Sequence, residues 1–243
     1  MKTLAAALEA ILRAQKDTQK PLAIILAGHN GSGKSTLWRR TLADRLQIPL
    51  INADRMMLSI LPEAEEDGQL VPWAARLRDT NQGWMRAAQQ GVQAFAGHAM
   101  GARVPFAMET VFSYWEEQAD GHIASKIDLI KDMQAAGYFV LLFFVGLTSV
   151  DLSVLRVSTR VLQGGHGVDE PTLRTRFPKT QKAISEAVKV AHASILADNS
   201  LTPAEAFTVC RVQLGVMPLF DIRDGTRKTP AVIMAWMDAV SPR

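Results

Sequence analysis

The stretch Leu22-Ala23-Ile24-Ile25-Leu26-Ala27-Gly28-His29-Asn30-Gly31-Ser32-Gly33-Lys34-Ser35-Thr36 decides the fold. Its apolar half, bounded by Pro21 and Gly28, suits a short strand covered on both faces, as in a parallel sheet. The residues that follow match G-x-x-x-x-G-K-[ST] in full, through Gly28, Gly33, Lys34 and Ser35. Residues 35–46 then carry Leu37, Thr41, Leu42 and Leu46 at helical spacing. Strand, glycine-rich loop and helix, in that order, are the context this motif requires.

Each part of the loop has a physical task. Gly28, Gly31 and Gly33 let the backbone curl and turn its N–H groups inward onto phosphates. The helix N-terminus adds a dipole that favours anions. Lys34 is a point charge for the β- and γ-phosphates, and the Ser35 hydroxyl is a hard oxygen ligand for Mg²⁺. The whole loop, with His29, Asn30, Ser32 and Thr36, is therefore expected to bind ATP with Mg²⁺.

Outward from the loop, strands and helices alternate. A helix is expected over 3–16, and a second strand over 48–52, where Pro49 favours an edge or a strand start. Residues 53–71 are mixed and include an acidic patch, Glu63, Glu65, Glu66 and Asp67, read as a solvated loop. A long helical pattern covers 72–101, a third apolar run 104–108, and another helix 114–136, ending at Gly137 as a cap. Residues 138–145 form the clearest strand, followed by a helix over 149–163 that ends at Gly164 and Gly165. The polar, basic, turn-rich segment 164–178 is expected to be a mobile loop. A helix then runs to about His192, with a strand near Ile195. In the tail, 207–214 and 219–222 resemble an antiparallel pair, and 230–240 a closing helix. The alternation, with the phosphate loop, predicts one α/β domain: a three-layer P-loop fold with a mainly parallel sheet flanked by helices. To it belong an N-terminal helix (1–19), a basic lid (160–180) and a C-terminal extension (203–243).

Bulk properties narrow the class. The chain has 243 residues, of which 48% are hydrophobic and 21% charged, an ordinary globular balance. A net charge of +3, with no block of consecutive Lys or Arg, does not point to nucleic acid. The one cysteine, Cys210, allows no internal disulfide and reads as a small hydrophobe in a strand, which fits a reducing cytoplasm. Lys2 and the apolar residues 4–8 resemble the start of an export signal. Glu9 and Arg13 interrupt that run, so an amphipathic helix is expected instead. The most apolar segment, 138–147, is half the length of a membrane-spanning helix, so no membrane association is expected.

A phosphate loop does not name a reaction. There is no N-K-x-D guanine-reading element, which counts against a GTPase, and no apolar strand ending in a D-E pair, as a helicase would have. A small-molecule kinase needs a base at the acceptor hydroxyl, an acceptor pocket and a basic lid. Asp54 follows the second strand, at the edge where ligands bind in α/β sheets. It could accept the acceptor's proton, or equally cap a helix. Glu109 and Thr110 follow the third strand to the same edge. Glu109 could hold a substrate hydroxyl or a magnesium-bound water, or be a surface acid. The lid offers Arg160, His166, Arg174, Arg176 and Lys179, either to close over a transferred phosphoryl group or as a solvated basic loop. His166, between glycines, could cap a turn. The alternative to a kinase is a P-loop ATPase or nucleotide-dependent switch acting with a protein partner.

Together these pieces resemble the zeta-toxin family of P-loop kinases, in its short bacterial form. The resemblance covers about residues 20–200. It rests on the phosphate loop, Asn52-Ala53-Asp54, Phe106-Ala107-Met108-Glu109-Thr110, Phe144-Val145-Gly146-Leu147, Asp198-Asn199-Ser200 and, most distinctively, Arg156 through Arg176 with Gln163-Gly164-Gly165-His166. It implies transfer of the ATP γ-phosphate, with Mg²⁺, to a hydroxyl of a sugar nucleotide such as UDP-N-acetylglucosamine. It implies Asp54 as the base, Glu109 and Thr110 at the acceptor, and Arg160 with Arg174 or Arg176 on ATP phosphates. Asn199 would stand on the nucleotide side, and an antitoxin protein is the implied partner. Arg55, where the family pattern has an acidic or small residue, is a departure that leaves other hydroxyl compounds open as acceptors.

Overall fold

The computed structural model describes residues 3–65, 68–121, 123–225 and 229–243. Lys2, Glu66 and Asp67, used above in reading the N-terminus and the acidic patch, lie outside the described residues.

The elements in chain order are α1 (Leu4–Asp17), β1 (Leu22–Gly28), α2 (Lys34–Leu37), a π-helical turn (Trp38–Leu42), α3 (Ala43–Leu46), β2 (Leu50–Ile51) and α4 (Ala53–Ser59). Then come α5 (Pro72–Thr80), α6 (Gln82–Gly101), β3 (Phe106–Thr110), β4 (Trp115–Glu117), β5 (Ile123–Ser125) and α7 (Ile127–Ala135). The chain closes with β6 (Phe139–Gly146), α8 (Val150–Leu162), α9 (Glu170–Val190), β7 (Ala193–Asp198), β8 (Thr208–Leu214), β9 (Met217–Asp221) and α10 (Ala231–Val240).

Among the described residues the main sheet has seven strands in the order β2-β3-β1-β6-β7-β8-β9. The first five are parallel, and β8 and β9 are antiparallel additions. β1 lies between β3 and β6, with Leu26 beside Glu109 and Phe143, and Ala27 beside Thr110 and Phe144. The chain leaves β1 to both sides, so a crevice opens at its C-terminal end, where the phosphate loop begins.

Alternation along the strands makes three layers. Ala23, Ile25 and Ala27 join one core with Phe106, Met108, Val140, Leu142 and residues of α7, α9 and α10. Leu22, Ile24 and Leu26 join the other, with Leu141, Phe143, α1 and the helix after the phosphate loop. α1 begins at Thr3, whose hydroxyl accepts from Ala6 N–H, and buries Ala7, Leu8 and Ile11. Cys210 is fully buried in β8, and burial pushes its thiol up to about 12. No helix among the described residues is long and apolar enough to cross a membrane.

Four expectations need correction. Residues 53–71 are not all loop, since α4 opens them. The 72–101 pattern is two helices, because the Asn81 side chain accepts from Trp84 N–H at 2.9 Å and starts a new one. The 114–136 pattern is a short hairpin, β4 with β5, followed by α7. Asp120-Gly121 carried the turn signal, and Gly121 N–H closes onto Gln118 O at 2.9 Å. Finally, the loop after α8 is only 163–169. Asp169 caps α9 by accepting from Thr172 N–H at 2.9 Å, with Pro171 in the first turn. The helix continues through Pro178 because Leu173, Phe177 and Thr180 are buried on either side of it. Most of the expected lid is thus helix.

Candidate active site

Lys34 and Gly33 anchor the phosphate loop. Gly33 has a left-handed φ of 91°, and a Cβ there would meet Asn199 Nδ2 at 2.7 Å, so only glycine fits. Asn199 Nδ2 donates to Ser32 O at 2.8 Å. Its amide serves the loop backbone, and it does not line the cleft. Lys34 is 8% exposed, and its Nζ donates to Gly28 O and His29 O, each at 3.0 Å. The His29 ring turns away from the cleft. It stacks on Phe177 at 4.0 Å, and its Nδ1 accepts from Leu147 N–H at 3.3 Å. Burial, with the Lys34 charge adding to it, lowers the His29 pKa to about 3, so the ring is neutral.

The cleft beside the loop has a volume of about 1110 Å³ and is lined by Asn30, Gly31, Gly33, Lys34, Ser35 and Thr36. That volume is at the upper end for one small ligand and leaves room for a second. Asp54, exposed in the first turn of α4, also lines it. Asp54 is not the helix cap: Asn52 is, its Oδ1 accepting from Arg55 N–H at 2.9 Å. Glu109 and Thr110 end β3 and face the same space. Glu109 Oε1 accepts from the Ser35 hydroxyl at 2.8 Å, while its buried Oε2 has no hydrogen-bond partner. Thr110 Oγ1 accepts from Lys126 Nζ. Burial, and then the Arg176 charge, push the Lys126 ammonium below the ordinary lysine range.

Arg160 enters from the last turn of α8. Burial lowers its pKa, the facing carboxylates Asp54 and Glu109 raise it, and its buried Nε has no hydrogen-bond partner. Lys34 sits in the same field. Burial lowers its pKa, Glu109 and Asp54 raise it, and Arg160 lowers it. Two carboxylates and two cations, from four separate segments, therefore act on one another at the end of β1. Arg39, Arg55, Arg156, Arg176 and Lys179 also line the cleft, so cations outnumber acids around it. Such a wall concentrates an anionic ligand.

Arg174 must be corrected. It is exposed, pairs with Asp151 at 2.8 Å and Glu170 at 2.8 Å, and does not line the cleft. The reason is helical period: Thr172, Thr175, Arg176 and Lys179 share the stripe facing the cleft, and residue 174 falls off it. Arg156 and Lys126 were missed as cleft residues. Arg156 was legible, since it lies one helical turn before Arg160. Lys126 was hidden by reading the β4–β5 hairpin as helix.

Among the described residues no cluster of three or more His, Cys, Asp or Glu could hold a metal ion by itself. The Ser35 hydroxyl and the free oxygen of Glu109 instead fit a cation shared with phosphates. Mg²⁺ is usually held that way, by one or two protein oxygens plus phosphate and water.

The zeta-toxin family model matches residues 7–202. The chain belongs to the zeta-toxin family. A relative from Haemophilus influenzae, described as an uncharacterized protein, is 30% identical over 155 residues, covering 64% of this chain and 91% of its own. A structure from the PezAT chromosomal toxin-antitoxin system of Streptococcus pneumoniae covers 100% of this chain and 90% of its own, at 13% identity and TM-score 0.53. The AvrRxo1-ORF1:AvrRxo1-ORF2 structure with sulphate ions covers 98% and 70%, at 14% identity and TM-score 0.59. The same pair with ATP gives TM-score 0.55 at 13% identity. At such identities the structural likeness establishes the fold, a mostly parallel sheet flanked by helices. Membership of the zeta-toxin family, with this kinase-like fold, supports a nucleotide-dependent phosphotransferase or toxin.

Proposed function

We propose that this protein is an ATP- and Mg²⁺-dependent kinase that transfers the γ-phosphate to a hydroxyl of a sugar nucleotide such as UDP-N-acetylglucosamine. The observation that carries the reading is the convergence of Asp54 and Glu109 on Lys34 and Arg160, beside the phosphate loop. A nucleotide switch needs the loop and a cation site. It does not need a carboxylate free of capping duty, facing an arginine across a cleft with room for two ligands.

In this reading Asn30, Gly31, Gly33 and Thr36 cradle the triphosphate with their backbone N–H groups, and Lys34 lies against the β- and γ-phosphates. Ser35 and Glu109 hold Mg²⁺, which when bound polarises the phosphate oxygens and offsets their charge. Asp54 orients the acceptor hydroxyl and takes its proton as that oxygen bonds to the γ-phosphorus and the bond to the β-phosphate oxygen breaks, leaving ADP. Arg160 and Arg176 balance charge on the transferred group. Thr110, fixed by Lys126, stands at the acceptor. A protein antitoxin is the partner consistent with the toxin-antitoxin system named for the pneumococcal neighbour.

The test is incubation with γ-labelled ATP and a panel of sugar nucleotides, read by mass spectrometry. A phosphate mass gain on one of them supports the reading. ATP turnover stimulated by a protein partner, with no phosphorylated small molecule, would replace it with the nucleotide switch.

A further inference from the structure

One ion pair, a buried arginine with a partly exposed aspartate, lies outside the reacting groups. Arg78, on α5, is 7% exposed, and its guanidinium bonds to Asp79 through Nε to Oδ1 at 2.7 Å and Nη2 to Oδ2 at 2.8 Å. The remaining nitrogen, Nη1, donates to Gly164 O at 2.8 Å, in the loop between α8 and α9. Asp79 Oδ1 also lies 3.0 Å from His166 Nδ1, two residues further along that loop. Two residues of one helix thus hold the loop at two points.

The loop can take this position only under narrow conditions. Gly164 has φ +80°, and a Cβ on it would meet Gly68 O at 2.6 Å and Gln69 Nε2 at 3.0 Å. The same loop closes on Arg160: Gly165 N–H donates to Arg160 O at 2.9 Å, as Gln163 N–H does at 3.1 Å. Gly165 and His166 line the cleft. α5 belongs to the crossover between β2 and β3, and the loop to the crossover between β6 and β7. The contact therefore joins two separate crossovers that both contribute walls of the cleft, immediately behind Arg160.

Burying the Arg78 guanidinium is costly, and its partner Asp79 is partly open to water, so the pair is a poor source of net stability. A bidentate pair is, however, rigid and directional. We infer that Arg78, Asp79 and His166 form a clasp whose role is to position Arg160 over the transferred phosphoryl group. All three act through Arg160 and the loop that follows it, and none is a catalytic residue. The inference rests on the kinase reading above.

The test is a double-mutant cycle with Arg160 on the full-length protein. His166→Ala is the first variant because His166 is partly exposed and its loss does not strand a buried charge. Asp79→Ala is the second. Each is expected to lower kcat for phosphoryl transfer by roughly ten- to hundredfold, the scale of a small misplacement, with little change in KM for ATP. His166→Asn, with an amide donor near the Nδ1 position, restores most of the loss. In an Arg160→Ala background neither variant has a further effect. Losses that multiply with that of Arg160→Ala overturn the clasp, as does His166→Ala at wild-type kcat. If the wild type hydrolyses ATP but phosphorylates no acceptor, the kinase reading fails alone, and the same cycle is read on kcat for ATP hydrolysis. A wild type with no ATP turnover overturns both.

Discussion

The Ser35 hydroxyl donates a 2.8 Å hydrogen bond to Glu109 Oε1, tying the first turn after the phosphate loop to the C-terminal end of β3. With Oε2 buried and unpaired, this pair is the place proposed for a cation shared with phosphates. Glu109→Gln keeps an oxygen for Ser35 and removes the charge. The Mg²⁺ concentration needed for half-maximal activity should rise roughly 10- to 100-fold, with the melting temperature unchanged. A titration of activity against Mg²⁺ reads this directly, and an unmoved midpoint removes Glu109 from the cation site.

Asn52 and Asp54 separate folding from chemistry within one helical turn. Asn52→Ala removes the cap of α4 and should cost about 1 kcal/mol in urea unfolding. Asp54→Asn should leave stability and ATP affinity alone, and lower transfer by roughly 10²- to 10⁴-fold, the usual worth of a general base. Transfer at the wild-type rate in single-turnover kinetics would remove Asp54 from the base role.

Lys34 is buried beside Arg160, with burial lowering its pKa. Lys34→Met should abolish ATP binding in calorimetry and leave the urea midpoint level or raised, because a desolvated charge is removed. A marked drop in the midpoint would mean that its bonds to Gly28 O and His29 O hold the loop folded.

Arg174 and Arg176, two residues apart, should differ. Arg174→Ala loses exposed ion pairs to Asp151 and Glu170, which water and salt screen, and should keep full transfer. Arg176→Ala should raise KM or lower kcat. Equal losses in both variants would contradict the helical facing.

His29 supplies a pH dependence. Its pKa falls from 6.5 in the unfolded chain to about 3 in the fold, mainly through burial. Its contribution is complete above pH 6.5. Below that, the unfolded state takes up a proton that the folded state refuses, so stability declines by about 1.4 kcal/mol per pH unit towards pH 3. Urea midpoints from pH 7.5 down to 4.5 should fall less steeply in His29→Asn, whose amide oxygen can replace Nδ1 as acceptor for Leu147 N–H. Parallel slopes would place the acid sensitivity elsewhere.

How far the chain could be read depended on how local each signal was. Gly33 and Lys34 stand in a motif whose backbone demands are met within a few residues, so β1, the loop and α2 followed from the order of residues alone. Residues 138–145 were as clear, being apolar throughout. Asn81 and Asp120-Gly121 carried equally local signals, a helix cap and a turn, but the apolar periodicity on either side masked them. Pro178 misled in the other direction. A proline normally ends a helix, but buried Leu173, Phe177 and Thr180 hold this one through it.

By itself, the sequence determined the phosphate loop, from spacing within one segment, the mainly parallel sheet around it, from strands alternating with helices, and a resemblance to the zeta-toxin family, from motifs spread over residues 20–200. It also named Asp54, Glu109 and Arg160 as residues of interest. Only the tertiary structure decided that Asn52 takes the cap and leaves Asp54 facing the cleft, that Arg176 lines the cleft while Arg174 pairs outside it, and that Arg78 and Asp79 reach Gly164 and His166. Those outcomes depend on how separate crossovers pack above β1, and side chains far apart in the chain meet only once the sheet order has been set.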